Sequence, residues 1–208
     1  MSILFNLTLF DYLLFALIVA ALLYLYDKHR KLEQLIPYKT INKKTKILSV
    51  VAGENVDTTS IEKALYATDI TYNLLSYDSV SQESLLAELE KDVTVFELSS
   101  HGLNGSFRLG NTTIPATWLA SVLSQYKSLE CCLLLYCNSY IDQELIAHSK
   151  LFVISLVGEV KDTTCIIFAR HFYYFLNKQF DYKEAFEHAR LHLPVEDYAK
   201  ILFCDGRQ

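Results

Sequence analysis

An α/β fold built on a mostly parallel sheet flanked by helices follows from three observations. First, short and almost continuously apolar runs recur along the chain, among them Val93-Thr94-Val95-Phe96-Glu97-Leu98 and Cys131-Cys132-Leu133-Leu134-Leu135, as expected of strands buried on both faces. Second, the stretches between those runs carry helical spacing and capping residues, and strands alternating with helices imply crossover connections and parallel neighbours. Third, 51% of residues are hydrophobic and only three are proline, so the chain fills a core and leaves no stretch expected to be disordered.

The elements follow in order. Residues 46–52 are predicted as the first strand, closed by Gly53. A helix over 58–67 takes Asp57 as its N-cap, whose side chain accepts from the free N–H groups of the first turn. The second strand covers 70–75. The second helix covers 80–90, with Ser81 and Ser84 near its start and Leu85, Leu86 and Leu89 on one face. The third strand covers 93–99. Ser106–Leu109 and residues 112–114 pair as a small hairpin through Gly110-Asn111. Pro115 suits the first turn of a helix reaching about residue 125. Strands over 131–136 and 151–157, helices over 163–176 and 182–191, and a last strand over 199–204 complete the series.

The amino end differs in kind. From Ile3 to Tyr26 the only charge is Asp11. A bilayer-crossing helix needs roughly 20 mostly apolar residues, so residues 1–27 are expected to form one transmembrane helix that meets the membrane through residues 3–26. Tyr12, Tyr24 and Tyr26 would be its interfacial anchors. A signal peptide fits less well, because no basic residue precedes the apolar run; a buried core helix is the remaining reading. Lys28, Arg30, Lys31, Lys39, Lys43, Lys44 and Lys46 all follow the span. The positive-inside rule then puts the amino terminus outside and the rest in the cytoplasm. Residues 28–44 form a basic stalk or linker, and 45–208 one domain.

A formal charge of −5 argues against nucleic acid as a partner, since phosphate binding needs a dense basic face. The five cysteines, odd in number and without framework spacing, suit reduced thiols in a cytosolic domain. No Cys-x-x-Cys or histidine spacing suggests a metal. The lone glycine of Val51-Ala52-Gly53-Glu54-Asn55 falls far short of a nucleotide fingerprint, so no cofactor is expected.

Chemistry concentrates after two of the strands. Ser99-Ser100-His101-Gly102 follows the third, and Tyr136-Cys137-Asn138-Ser139 the fourth. Parallel sheets gather the carboxyl ends of their strands at one edge, where α/β proteins build active sites. If the two strands are neighbours, a histidine and a cysteine meet there, the minimum equipment for a thiol nucleophile and its base. Further along come Gly158-Glu159-Val160-Lys161-Asp162, Phe168-Ala169-Arg170-His171-Phe172-Tyr173 and Ala185-Phe186-Glu187-His188-Ala189-Arg190.

In this order and on these elements, the segments resemble the CHAT family of caspase-like, clan CD cysteine peptidases over about residues 45–205. The resemblance implies a caspase-like fold with the third and fourth strands adjacent. It implies Cys137 as nucleophile, His101 as base, and the N–H groups of Gly102 and Cys137 as the oxyanion hole. A free thiol, with a pKa of about 8.5, is mostly protonated at neutral pH and needs such a base. Lacking a Cβ, Gly102 would let substrate approach its backbone, and one oxyanion donor is typically worth roughly 3–4 kcal/mol of barrier.

Glu159 and Asp162 fall at the same edge. They could line a pocket for a basic side chain of the substrate, or Asp162 could simply cap the helix that follows it. Cys131, Cys132 and Cys165 read as core residues. His148, His171, His188 and His192 read as solvated or structural. Glu187, His188 and Arg190 read as a solvated helix face, and Phe172-Tyr173-Tyr174-Phe175 as packing on the sheet.

The function expected is that of a membrane-anchored cysteine endopeptidase effector that cleaves protein substrates. The resemblance implies activation by a partner protein or small signal, in bacterial defence or stress response. A single span with so little beyond it is expected to form a homo-oligomer or to act with a partner protein encoded elsewhere. Two rival readings stand beside it: an inactive caspase-like binding module, and a membrane-disrupting or pore-forming effector whose span is the active part.

Overall fold

The computed structural model describes residues 18–19, 45–54, 58–66, 68, 70–102, 105–148 and 150–207. The chain divides into two units, Met1–Lys39 and Thr40–Gln208; in the first, only Ile18 and Val19 are described, and both are helical. The expected span, the basic stalk and the Asp57 cap otherwise lie outside the described residues. Among the described residues, no helix is long and apolar enough to cross a membrane.

The second unit is built on a six-stranded sheet. Its strands are β1 (Lys46–Val51), β2 (Thr71–Leu75), β3 (Val95–Ser99), β6 (Cys131–Leu135), β7 (Phe152–Leu156) and β8 (Ile201–Asp205), ordered β2-β1-β3-β6-β7-β8. All neighbours are parallel except β7 and β8. β4 (Ser106–Leu109) and β5 (Thr112–Pro115) form the separate hairpin, turning at Gly110, whose φ of 57° is one that glycine adopts freely.

Helices cover both faces, and strand alternation decides which residues meet them. Leu48, Val50, Phe96, Leu98, Cys132, Leu134 and Val153 face one layer. It is formed by α2 (Gln82–Leu89), α3 (Ala116–Leu123), α4 (Tyr140–Ala147) and the hairpin. Ile47, Val51, Val95, Cys131, Leu133, Leu135 and Ile154 face the other, formed by α1 (Thr58–Tyr66), α5 (Asp162–Asn177) and α6 (Tyr182–Arg190). Burial on both faces explains why β1, β3, β6 and β7 show no polar alternation in sequence.

β1 connects through α1 on one face and β3 through the hairpin and α3 on the other. The sheet order therefore reverses between β1 and β3, at whose carboxyl ends the connections leave toward opposite faces, the place where such sheets bind ligands.

Several expectations need correction. The sequence patterning hid two helices, α4 and the short α7 (Val195–Tyr198). Ser81, expected only near the start of α2, is its N-cap, in a reciprocal box with Ser84. Asp162 does not cap α5: Lys161 stands at the N-cap without a side-chain bond, and Asp162 is the first helical residue. There its charge favours the positive end of the helix rather than closing it. Pro115 likewise sits at the N-cap of α3. Glu187, His188 and Arg190 are half-buried, not a solvated face, because the Arg190 guanidinium lies over the Phe186 and Tyr198 rings at 5.0 and 4.1 Å. Of the aromatic run, Phe172 and Tyr173 are buried against the sheet, while Tyr174 is exposed.

Candidate active site

The register settles how His101 and Cys137 are related. β3 pairs with β6 so that Ser99 stands opposite Leu135, and each candidate residue lies two positions beyond its paired strand end. Ser100 N–H donates to the Leu135 carbonyl at 3.4 Å, extending the ladder past the strands. Two residues on, Gly102 lies against the Cys137 backbone. A Cβ there would stand 2.9 Å from the Tyr136 ring and 3.1 Å from the Cys137 carbonyl carbon, with the carbonyl oxygen closer still. Only glycine fits that approach.

The histidine loop is held from three sides. Ala52 N–H donates to the Ser99 carbonyl at 2.8 Å, Arg108 N–H donates to the His101 carbonyl at 3.1 Å, and Ser100 Oγ donates to the Arg108 carbonyl at 2.5 Å. The imidazole is exposed, but its Nε2 is 2.8 Å from the Glu54 carbonyl oxygen, in the loop after β1. A carbonyl only accepts, so Nε2 carries the hydrogen. In the neutral ring the lone pair is then on Nδ1.

Cys137 is half-buried and sits in a turn tied to the next strand's loop. Asn138 adopts a φ of 61°, a left-handed conformation that asparagine tolerates. From it, Asn138 N–H donates to the Gly158 carbonyl at 3.2 Å, and Gly158 N–H donates to Asn138 Oδ1 at 3.0 Å. Ser139 Oγ donates to the Leu134 carbonyl at 2.7 Å and accepts the Leu156 N–H at 2.8 Å, stitching the turn to β7. Among the described residues, the Gly102 and Cys137 N–H groups have no hydrogen-bond acceptor.

Glu159 and Asp162 are both exposed. Glu159 follows the pinned Gly158, and its carbonyl accepts from Lys200 Nζ at 3.4 Å. Lys161, also exposed, lies between the two acids, so this rim carries charges of both signs. Two hollows, of about 140 and 490 Å³, lie elsewhere: one beside Thr94, Phe180 and Arg207, the other between Tyr77 and the hairpin tip at Asn111. Neither is lined by His101, Cys137, Glu159 or Asp162.

The other thiols are set apart by burial. Cys131 and Cys132 are fully buried, and their thiols are pushed well above the usual range. Cys165 is half-buried rather than core, and burial, then the neighbouring Asp162, pushes it up to about 12.

Sequence reasoning missed three contributors. Glu54 acts through its carbonyl, which no side-chain pattern reveals. Asn138 carried a signal, being a residue suited to positive φ directly after the cysteine. Glu97 carried one too, as the sole charge within an apolar strand; it is fully buried, accepting from Ser99 Oγ at 3.1 Å and from the Tyr173 hydroxyl. Among the described residues, no cluster of histidine, cysteine or carboxylate side chains could hold a metal ion. The chain matches no known family model and no curated protein.

Proposed function

We propose that the chain is a caspase-like cysteine endopeptidase of CHAT type, anchored to a membrane through residues 3–26 with its domain in the cytoplasm. The observation that carries this reading is the set of contacts at the ends of β3 and β6. His101 has its tautomer fixed by Glu54, and Gly102 packs on the Cys137 backbone, with neither candidate oxyanion donor bonded to an acceptor among the described residues.

The chemistry that follows is acyl transfer. Cys137 Sγ gives its proton to His101 Nδ1 and attacks a peptide carbonyl carbon, while Gly102 and Cys137 N–H groups take the developing oxyanion. As the C–N bond breaks, His101 returns the proton to the leaving amine and a thioester remains on Cys137. Water, losing a proton to the same imidazole, then hydrolyses it and restores the thiol. Glu159 and Asp162 are the acids that would meet a basic substrate side chain at this rim. The substrate is a protein, and an activating partner or small signal is expected to complete the substrate pocket.

The test is the alkylation rate of each cysteine against pH, with and without His101→Ala. Selective reaction at Cys137 that collapses without His101 supports the peptidase reading and justifies substrate screening with Cys137→Ala as control. A Cys137 as inert as Cys131, even with the proteins encoded by its genomic neighbours present, overturns it in favour of a binding module.

A further inference from the structure

Glu97 lies at the centre of β3 with no exposed surface. Alternation puts its side chain, and that of Ser99, on the face covered by α1, α5 and α6. Ser99 Oγ donates to one carboxyl oxygen and Tyr173 of α5 to the other. Directly across on β1 stands Ser49, whose buried hydroxyl acts on the same carboxyl.

Among the described residues, no cation answers this carboxyl. From α5 the titratable groups that act with it are Tyr173 and Cys165, both held protonated by burial. α1 covers the face with Ile61 and Leu65, its Glu62 and Lys63 being exposed; α6 covers it with Ala185, Phe186 and Ala189. From β6 comes Cys131, itself buried and protonated. An ionised carboxylate in such a place has no opposite charge to repay its lost hydration. Burial accordingly pushes the Glu97 carboxyl above its ordinary range.

We infer that Glu97 is held as a neutral carboxylic acid that clamps β3 to α5, and thereby acts as a positioning residue for His101. The connection is short. Ser99 is two residues from His101 and its carbonyl is fixed by Ala52. α5 begins in the loop where Gly158 is pinned to Asn138, beside Cys137. One acid therefore ties together the strand that presents the base and the helix that starts beside the nucleophile. The positioning role rests on the peptidase reading; the protonation state does not.

The test uses the full chain and two readouts. The infrared carbonyl band of a protonated carboxylic acid at pH 7 is expected in the native protein and lost in Glu97→Gln. Alkylation of Cys137 is expected to slow by on the order of tenfold to a hundredfold in Glu97→Ala and in Tyr173→Phe, as displaced catalytic groups do. Glu97→Gln, which keeps the shape and neutrality, restores most of that loss. Should Glu97→Ala fail to fold, Tyr173→Phe carries the comparison. Absence of the acid band, or a Gln variant as impaired as the Ala variant, overturns the neutral acid. An unchanged pH profile at Cys137 in folded Tyr173→Phe overturns the positioning role. If Cys137 is inert in the native protein even with the proteins encoded by its genomic neighbours present, the positioning role falls with the peptidase reading, and the band still decides the state of Glu97.

Discussion

The Glu54 carbonyl oxygen accepts the Nε2–H of His101 at 2.8 Å, so a backbone group selects the tautomer of the candidate base. Nitrogen NMR of the neutral protein is expected to show Nε2 protonated and Nδ1 bare. The opposite tautomer would leave Nδ1 unable to accept the Cys137 proton.

Gly102→Ala forces a methyl into the Cys137 carbonyl and the Tyr136 ring. Backbone cannot yield as a flexible side chain does, so the variant should lose about 1–3 kcal/mol of stability, the usual range for overpacking. Chemical denaturation measures the loss, and Cys137 alkylation should fall with it. A stable Gly102→Ala protein would mean that the two loops are not in contact.

Thiol labelling should divide the cysteines by burial. At pH 8, mass-spectrometric mapping after brief alkylation is expected to find Cys131, Cys132 and Cys165 unmodified, since burial holds all three protonated. Early modification of Cys165 would mean that the start of α5 opens in solution.

Glu97 also sets a pH dependence of stability. Its folded carboxyl titrates above the value of the unfolded chain, so between the two values the native state binds more protons. Stability therefore falls as pH rises through that window. Glu97→Gln should flatten this slope. Glu97→Ala should instead cost about 1–3 kcal/mol, because the buried Tyr173 hydroxyl loses its acceptor. Urea unfolding at several pH values separates the two.

His171 and His192 stack with ring centroids 3.8 Å apart and planes within 4°, an arrangement that two charged rings oppose. Burial, then His192 and Arg170, lowers the proton affinity of His171. The unfolded chain then binds the proton first as pH falls, so stability drops on acidification through and below the ordinary histidine range. His171→Phe should keep the stack and reduce that acid slope in thermal unfolding at pH 5 to 7.

Much of the fold was legible because burial on both faces leaves strands as unbroken apolar runs. The third and fourth runs and the Gly110-Asn111 hairpin stand where expected, and so do the rims carrying His101 and Cys137. α4 was hidden because its polarity is inverted. Tyr140 and Ile141 are exposed, whereas Asp142 and Gln143 are buried, accepting from the Tyr136 hydroxyl at 2.8 Å and donating to the Val153 carbonyl at 3.1 Å. Periodicity presumes that polar residues face water, and side chains satisfied inside the protein defeat it. Arg190 misled in the same way, burying its stem and guanidinium on aromatic rings. The site's cysteine and histidine could be proposed from strand ends, but what holds their loops is a carbonyl and a turn conformation. Such features exist only once the chain has folded.

β8 alone runs against the rest of the sheet, Asp205 pairing with Phe152 at the rim where Lys46 opens β1. The domain's first and last strands thus enter and leave at the rim opposite His101 and Cys137. An affinity handle, fluorophore or surface linker joined beyond Asp205 would hold the domain with the rim of His101 and Cys137 turned away from the attachment point.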